Sequence, residues 1–445
     1  MTEWAVLGTA FHAPSPDRLE VLENALIVIG ADGAIARVEG HGQSVENFRQ
    51  AGRLTELGPR QYLIPGLVDC HIHAPQWPQL GKALDVPLER WLQDYTFKLE
   101  ARYADEGYAR AMYSDLVATL LANGTTTAVY FATLHLPATQ ILAEICLEQG
   151  QRALIGRVAM DDPGQCPDTY RDPSAALAIE ETRRFIDFVK ALPGNDRDLI
   201  EPVITPRFIP ACTDELLQGL GDLASETGCA IQTHCSESDW EHGYVMDRCG
   251  KTDAAALADF GLMTRRTLLA HGNHVTKADR DLIRDKGAAI AHCPLSNAYF
   301  ADAVLPVRTC LDHGVHVALG TDIAGGASPS LFDSARMAVT MSRMLETGVD
   351  PARPREARGT PGRRIDFVAA FHLATAAGGV ALDLPIGLFR PGYRFDALVI
   401  DASAAGSNLR LYAEDGPSDI VQKIICNASP ANVAKVWVDG KLVRS

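Results

Sequence analysis

The amino-acid sequence predicts an α/β fold, a (β/α)8 TIM barrel with a small β-sandwich-like domain formed by the N- and C-terminal segments. Three observations lead to this prediction. Short apolar runs alternate with longer amphipathic stretches between residues 64 and 325, as expected of repeated β–α units around a parallel sheet. Both ends of the chain show strand and hairpin patterns instead. A length of 445 residues holds a barrel of about 250 residues or more together with a smaller unit.

One barrel strand is assigned to each of eight apolar runs, which close in sequence into a barrel. The runs are residues 63–74, 125–132, 153–160, 201–209, 230–237, 267–274, 288–295 and 315–322. The stretches between them carry helical signals. Residues 104–124, for instance, end in Asn-Gly, which is typical of a helix C-terminus. The barrel domain, with a hydrolase site, is predicted to occupy residues 64–380.

The two ends of the chain are predicted to form one composite β domain from residues 1–63 and 381–445. Residues 24–40 and 434–443 each place Asp-Gly between alternating apolar residues, the signature of a tight β-hairpin. Residues 395–402 add a further strand pattern. The Arg-, Pro- and Gly-rich segment 351–364 is predicted to be a surface loop, with a nucleic-acid-binding patch as the alternative.

The charge balance argues against a nucleic-acid partner. The chain has 41 Lys plus Arg and 56 Asp plus Glu, a formal charge of −15 that disfavours a phosphate backbone. No basic leader precedes an apolar stretch, and no segment approaches the roughly 18 apolar residues of a membrane span. Ten cysteines without a C-x-x-C pair indicate reduced thiols. We therefore expect a soluble, cytoplasmic protein with no membrane partner.

The strongest local signal for chemistry is the pair His71 and His73 at the end of the first apolar run. Residues i and i+2 of a strand point to the same side, so the two imidazoles converge. An H-x-H pair on its own is weak evidence for a metal, the alternative being two hydrogen-bonded structural histidines. Its position is more informative, because catalytic groups of such barrels lie at the C-terminal ends of the strands.

The same position recurs in other runs, with His234 in the fifth, His271 in the sixth and Asp322 in the eighth. Each alone could be structural, and Asp322 could cap a helix. Together with the H-x-H pair they predict a site for a divalent transition metal such as zinc, with one coordination position left for water. Glu237 follows His234 by three residues, in the position of a general acid or base. A surface glutamate is the alternative interpretation of Glu237.

On these residues the chain resembles the amidohydrolase superfamily and, within it, is similar to the guanine deaminases. The shared motifs are PGLVDCHIHAPQ (65–76), VITPRF (203–208), QTHCSE (232–237), LLAHG (268–272), AHCPLSN (291–297) and LGTDIAGG (319–326). They cover the whole barrel in order. The closer similarity depends on Gln76, on Arg207 and Phe208, and on the H-x-x-E spacing of His234 and Glu237.

The resemblance implies one divalent metal per chain, Zn²⁺ before iron. Its ligands would be His71, His73, His234 and Asp322. Glu237 and Asp322 would transfer protons, and His271 would be catalytic beside the water that the metal activates. No lysine lies on a predicted strand between His73 and His234, so a single metal is expected rather than a bridged pair.

The resemblance also implies the substrate and its binding residues. Gln76 and Arg207 would hydrogen-bond a purine base, Phe208 would form an apolar or stacking wall, and His271 would contact the reacting centre. A structural ion pair is the alternative role for Arg207. The implied activity is metal-dependent hydrolytic deamination of guanine to xanthine and ammonia, in purine catabolism, by a homodimer.

Two alternatives to this function stay open. The same metal centre could deaminate another heterocycle, such as a pterin, a triazine or 8-oxoguanine, or the chain could be a non-catalytic amidohydrolase-like interaction protein. Five further residues near the predicted barrel mouth have no assigned role: His292, Asn297, His135, Trp77 and Trp91.

Overall fold

A computed structural model describes residues 2–40 and 42–445, so that Met1 and His41 lie outside the described residues. The described chain contains two sheets surrounded by helices. The strands are β1 (Trp4–Ser15), β2 (Arg18–Ile29), β3 (Ile35–Glu39), β4 (Leu54–Glu56), β5 (Gln61–Pro65), β6 (Leu67–His73), β7 (Thr125–Phe131), β8 (Arg152–Gly156), β9 (Val158–Ala159), β10 (Ile200–Pro206), β11 (Ala230–Cys235), β12 (Thr267–His271), β13 (Ala289–His292), β14 (His316–Leu319), β15 (Ala397–Asp401), β16 (Val433–Val438) and β17 (Lys441–Arg444).

Helices connect and cover these strands. They are α1 (Gln43–Gln50), α2 (Leu88–Trp91), α3 (Phe97–Glu100), α4 (Glu106–Ala122), α5 (Leu136–Gln149), α6 (Ala175–Lys190), α7 (Asp214–Thr227), α8 (Asp239–Cys249), α9 (Asp253–Asp259), α10 (Lys277–Lys286), α11 (Pro294–Ser296), α12 (Val307–Asp312), α13 (Leu331–Thr347), α14 (Arg355–Arg358), α15 (Phe367–Ala374), α16 (Ala376–Leu382) and α17 (Pro417–Asn427). The predicted helix at 104–124 is α4, and it begins where the Asp105 side chain accepts a hydrogen bond from the Tyr108 backbone N–H at 3.1 Å.

The predicted (β/α)8 barrel is confirmed. Eight parallel strands follow one another in the order β6, β7, β8, β10, β11, β12, β13 and β14, and each of the eight predicted runs supplies one of them. The third run, residues 153–160, divides into β8 and the short β9, which pairs only with the end of β10. Because the eight strands are parallel, their carboxyl ends all lie at the same mouth of the barrel.

Backbone hydrogen bonds join the last barrel strand to the first. The N–H of Asp322 donates to the carbonyl of His71 at 2.9 Å, and the N–H of His73 donates to the carbonyl of Ile323 at 2.8 Å. Both bonds lie just beyond the end of β14 and at the end of β6. Closure therefore places the LGTD segment directly against the H-x-H pair.

A buried carboxylate strengthens this junction from β6. Asp69 is fully buried and accepts hydrogen bonds from Thr321 N at 3.0 Å, from Thr321 Oγ1 at 2.6 Å and from His71 N at 3.3 Å. Gly320 must be glycine here, because a Cβ would lie 2.9 Å from the His71 Cβ and 3.0 Å from the Cys293 Sγ. The barrel is thus closed by side-chain as well as backbone contacts.

The second sheet combines both ends of the chain, as predicted. Its order is β17, β16, β15, β5, β1, β2 and β3, with β4 paired to β1. Both predicted hairpins form, as β2–β3 and β16–β17. The second turns at Asp439 and Gly440, whose φ values of 52° and 73° suit a tight hairpin turn. The domain boundaries at residues 63 and 381 stay a prediction.

The remaining sequence expectations concern the surface and the thiols. The segment 351–364 is mostly exposed and contains only the single helical turn α14. All ten cysteines are free thiols. In residues 2–40 and 42–445, none of the helices combines the length and apolar character that a bilayer span requires.

The closure by Asp69 can be tested by mutation. Asp69→Ala leaves three buried donors without an acceptor, so we expect it to lower the free energy of unfolding by about 2–4 kcal/mol. Chemical denaturation of chelator-treated protein measures this without any contribution from bound metal. Asp69→Asn keeps one acceptor oxygen and should lose less. A wild-type stability for Asp69→Ala would show that closure does not depend on this carboxylate.

Candidate active site

Five side chains predicted from the sequence meet at the carboxyl ends of four barrel strands. His71 and His73 lie at the end of β6, His234 lies near the end of β11, and His271 ends β12. Asp322 follows β14 by three residues, in the loop that closes the barrel. All five are buried, so closure of the barrel collects one carboxylate and four imidazoles in a small volume that excludes solvent.

The distances between these side chains match a tetrahedral metal site. Asp322 Oδ1 lies 3.1 Å from His71 Nε2 and 3.5 Å from His73 Nε2, and the Nε2 atoms of His73 and His234 are 3.0 Å apart. Metal–nitrogen bonds of about 2.0–2.1 Å in tetrahedral geometry place neighbouring ligand atoms about 3.3 Å apart. The donor atoms of His71, His73 and His234 all lie within 4.8 Å of one another, as do those of His71, His271 and Asp322.

The electrostatics of the cluster favour a cation. Burial lowers the pKa of His71, His73 and His234 well below 6.5, and the neighbouring imidazoles lower it further, so these rings are neutral and keep a lone pair. Nε2 of His71 and of His271 makes no hydrogen bond to any described residue although both atoms are buried. Unpartnered buried nitrogens beside a carboxylate are the donor set of a divalent transition metal, and the residues present therefore fit one.

Hydrogen bonds fix which nitrogen of His234 is available to a ligand. Its Nδ1 donates to the backbone carbonyl of Arg207 at 2.6 Å, which leaves Nε2 with the lone pair. Such a contact from the far nitrogen of a metal-binding imidazole holds the ring in place. Arg207 therefore acts on the candidate metal centre through its backbone.

A chain of side-chain amides, which no local sequence pattern indicates, holds His271. Its Nδ1 donates to Asn297 Oδ1 at 2.9 Å, Asn297 Nδ2 donates to Asn273 Oδ1 at 2.8 Å, and Asn273 Nδ2 donates to the Glu237 carbonyl at 2.8 Å. Because the last acceptor is a carbonyl, each amide has only one orientation that satisfies the chain. His271 thus carries its proton on Nδ1 and directs an unprotonated Nε2 towards the cluster.

Three residues at this mouth have a left-handed backbone. The φ values are 72° at His271, 52° at Asp322 and 52° at Ser236. Residues with a Cβ adopt this conformation at a cost, and such conformations collect at functional sites where surrounding contacts enforce them. The strain here coincides with the ends of β11, β12 and the loop after β14.

Glu237 lies in the loop after β11 and is buried. Its backbone N–H donates to Glu241 Oε2 at 2.7 Å, and its Oε1 lies 3.7 Å from Nε2 of His271. Burial, assisted by the nearby carboxylate of Asp322, raises the pKa of Glu237 to about 8. A carboxyl group with this pKa holds a proton near neutral pH and can donate it.

A cavity opens onto the cluster. It is lined by His73, Gln76, Leu88, Trp91, Leu92, Arg207, Phe208, His234, Glu237, Ser296, Phe300, Asp322 and Gly325. The sequence predicts four residues in contact with a base, and three of them, Gln76, Arg207 and Phe208, line this cavity. Apolar walls with a few polar and charged groups are typical of a pocket for a small molecule.

Glu100 is a buried residue that sequence reasoning missed. Its carboxylate accepts from Arg207 Nη1 at 2.7 Å, from Arg207 Nη2 at 3.1 Å and from Gln76 Nε2 at 2.8 Å. Phe97 lies about one helical turn before Glu100, and its ring faces the Arg207 guanidinium. The distance from Arg207 Cζ to the centre of the Phe97 ring is 5.0 Å. Arg207 is therefore ion-paired, as its alternative role predicted, and it also forms part of the cavity wall; its contact with a base stays a prediction.

The five residues left without a role lie in different places. Asn297 contacts His271, and Trp91 lines the cavity. His292 ends β13 and is buried, but it belongs to neither group of candidate metal ligands found among the described residues. His135 follows β7 and directly precedes α5, and its side chain makes no capping hydrogen bond to the described part of that helix. Trp77 donates its Nε1–H to Asp115 of α4 at 2.7 Å.

The fold and the site define the class of protein, a (β/α)8-barrel enzyme with a candidate metal centre at the carboxyl ends of its strands. The chain belongs to the amidohydrolase family, whose model matches residues 62–443. A probable guanine deaminase of Schizosaccharomyces pombe is 37% identical over 98% of this chain and 82% of its own length. The guanine deaminase of Homo sapiens is 34% identical over 98% of this chain and 95% of its own length.

A solved structure supports the same relationship. The crystal structure of a guanine deaminase from C. acetobutylicum, with guanine bound in its active site, is 30% identical. It superposes with a TM-score of 0.89 and covers 99% of this chain and 100% of its own. The similarity extends over both the barrel and the terminal sheet.

The ligand assignment predicts different effects for two buried histidines at strand ends. His71→Ala removes a donor of the cluster and should abolish stoichiometric metal binding, whereas His292→Ala should leave the metal content at the wild-type value. Elemental analysis of purified, dialysed protein measures both. Retention of a full equivalent of metal by His71→Ala would contradict its place among the ligands.

Proposed function

We propose that this enzyme deaminates guanine hydrolytically to xanthine and ammonia. The observation that carries the proposal is that one cavity brings the base-binding candidates Gln76 and Arg207 together with Glu237 and with two members of the cluster, His234 and Asp322. The full-length similarity to guanine deaminases, one of them solved with guanine in its active site, supports the same substrate.

We propose that His71, His73, His234 and Asp322 hold one Zn²⁺ per chain. Three neutral imidazoles and one carboxylate suit zinc, and the ligand-atom spacing fits its tetrahedral geometry. A bound metal would lower the pKa of water, so that hydroxide would be available near neutral pH.

The residues of the chain would bind and orient the base. Gln76 and Arg207 donate hydrogen bonds to the carbonyl oxygen and ring nitrogen acceptors of guanine, and Phe208 closes one wall of the cavity. The buried position of all three keeps bulk water from competing for these bonds. The ring carbon that carries the amine is then directed towards Glu237 and Asp322.

Proton transfer would fall to the two buried carboxyl groups. Asp322 accepts a proton from the attacking water, and Glu237 donates one to the ring nitrogen beside the attacked carbon, so that negative charge does not accumulate on the ring. Nε2 of His271, 3.7 Å from Glu237 Oε1 and 4.0 Å from Asp322 Oδ2, lies where it can accept a hydrogen bond from the attacking water. The amine would then take up the proton held by Asp322 and leave as ammonia, while the hydroxyl added to the ring would lose its proton to Glu237, so that water has replaced the amine and both carboxyl groups are restored.

Three broader expectations belong to the same proposal. The reaction places the enzyme in purine catabolism. Ten free cysteines support a reducing, cytoplasmic location. A homodimer is proposed on the family resemblance alone.

Glu237→Gln tests the proton donor. The variant should keep its metal, because Glu237 is not a proposed ligand, but should lose on the order of 10²-fold or more in kcat, because an amide supplies no acidic proton. Glu201→Gln is a matched control. Glu201 lies in β10 and pairs with Arg266 at 2.6 Å, outside the cavity, so its kcat should stay at the wild-type value. Full activity in Glu237→Gln would remove Glu237 from the mechanism.

Ammonia release identifies the substrate. Protein of measured metal content is incubated with guanine, adenine, cytosine, 8-oxoguanine, a pterin and an aminotriazine, and product is followed by chromatography. We expect xanthine and ammonia from guanine at the highest kcat/KM. A higher kcat/KM for another heterocycle would show that this compound, and not guanine, is the substrate. Absence of both metal and turnover would instead support the non-catalytic alternative.

A further inference from the structure

Glu100 contacts both side chains proposed to bind the base, although it is not itself among the residues that line the cavity. One oxygen, Oε1, is shared between Gln76 Nε2 and Arg207 Nη2, and the other accepts from Arg207 Nη1. The carboxylate is fully buried and reaches these partners from α3, on a different element from either. Its position therefore determines how two parts of the cavity wall are presented to a ligand.

The orientation of the Gln76 amide follows from its two partners. The backbone N–H of Ala324 can only donate, so the amide oxygen faces it at 3.2 Å. The carboxylate of Glu100 can only accept from an amide, so the NH2 group faces it at 2.8 Å. One N–H of Gln76 remains for a ligand, because its oxygen is turned to Ala324.

Arg207 also offers only donors. Glu100 takes one N–H from each terminal nitrogen, and a guanidinium has no acceptor to present with the others. Gln76 and Arg207 together thus form a wall of N–H groups. A carbonyl at the facing edge of a ligand satisfies this wall, whereas an amine places donor against donor and leaves buried polar groups unpaired.

We infer that Glu100 is a positioning residue that makes the cavity select a base with a carbonyl acceptor over the same base with an amine at that carbon. Guanine and 2,6-diaminopurine are such a pair, since both carry the amine that is removed and differ in the second substituent. The inference rests on the proposed function and names the residue that fixes its substrate preference. Glu100 acts through Gln76 and Arg207 and does not touch the base.

Glu100→Gln tests the inference with almost no change of shape. If the new NH2 group takes the place of Oε2, it faces the N–H of Arg207 Nη1. If it takes the place of Oε1, it faces the N–H groups of Gln76 and of Arg207 Nη2. We expect KM for guanine to rise on the order of 10- to 100-fold with unchanged metal content. The ratio of kcat/KM for guanine to that for 2,6-diaminopurine should fall at least about tenfold.

Asp172→Asn is the matched control. Asp172 is a buried carboxylate paired through both oxygens with the buried Arg157, but it does not line the cavity. Its loss should lower thermal stability as Glu100→Gln does, with KM and the guanine preference left at their wild-type values. If Glu100→Gln behaves like this control, Glu100 is only structural and the inference is wrong.

Glu100→Asp provides a second test that also serves if the glutamine variant does not fold. It keeps the charge and both acceptor oxygens but is one methylene shorter, so it does not reach Gln76 and Arg207 together. KM for guanine should rise, while the preference for guanine falls less than in Glu100→Gln. A wild-type KM for Glu100→Asp would overturn the inference.

If the metal-loaded wild type releases no ammonia from guanine, the proposed function itself is wrong and the inference falls with it.

Discussion

The hydrogen bonds that close the barrel between β6 and β14 are the interaction on which the rest of the structure depends. They pair Asp322 with the backbone of His71 and bring its carboxylate within 3.1 Å of the His71 ring. Residues 251 positions apart in the sequence meet only because eight strands complete a circle. The buried Asp69 secures the same junction, so the stability of the barrel and the geometry of the donor cluster have one origin.

Burial then decides the chemical character of what closure has assembled. Water is excluded, the imidazoles are neutral, and the pKa of Glu237 is raised to about 8. In such surroundings unpartnered nitrogens and a carboxylate are unfavourable by themselves and are stabilised by a cation. The left-handed backbone at His271 and Asp322 shows that the fold holds these donors in place at the expense of local conformational energy.

The sequence predicted those features that depend on local periodicity. Alternation in a strand placed His71 and His73 on one side, and the recurrence of His234, His271 and Asp322 at strand ends predicted their meeting. Other features carry no local signal. Glu100 stands among Lys98, Arg102 and other charged residues, in a stretch that resembles a solvated helix, and only tertiary structure turns it towards Arg207. The same holds for the amide chain from His271 to Glu237, whose members lie at or after the ends of β11, β12 and β13.

Arg207 shows why the parts of this site do not act independently. Its carbonyl fixes the His234 ring, and its guanidinium binds Glu100, which in turn orients Gln76. The candidate metal centre and the proposed base-binding wall are therefore joined through one residue, which directly follows β10. Residues joined in one hydrogen-bond network show coupled effects on substitution, because each removal also releases the partners of the group removed. Replacing the Arg207 side chain would leave Glu100 as an unpaired buried charge while its carbonyl still held His234. The loss of activity in such a variant would thus measure the collapse of the wall, and the retention of metal would measure the backbone contact that remains.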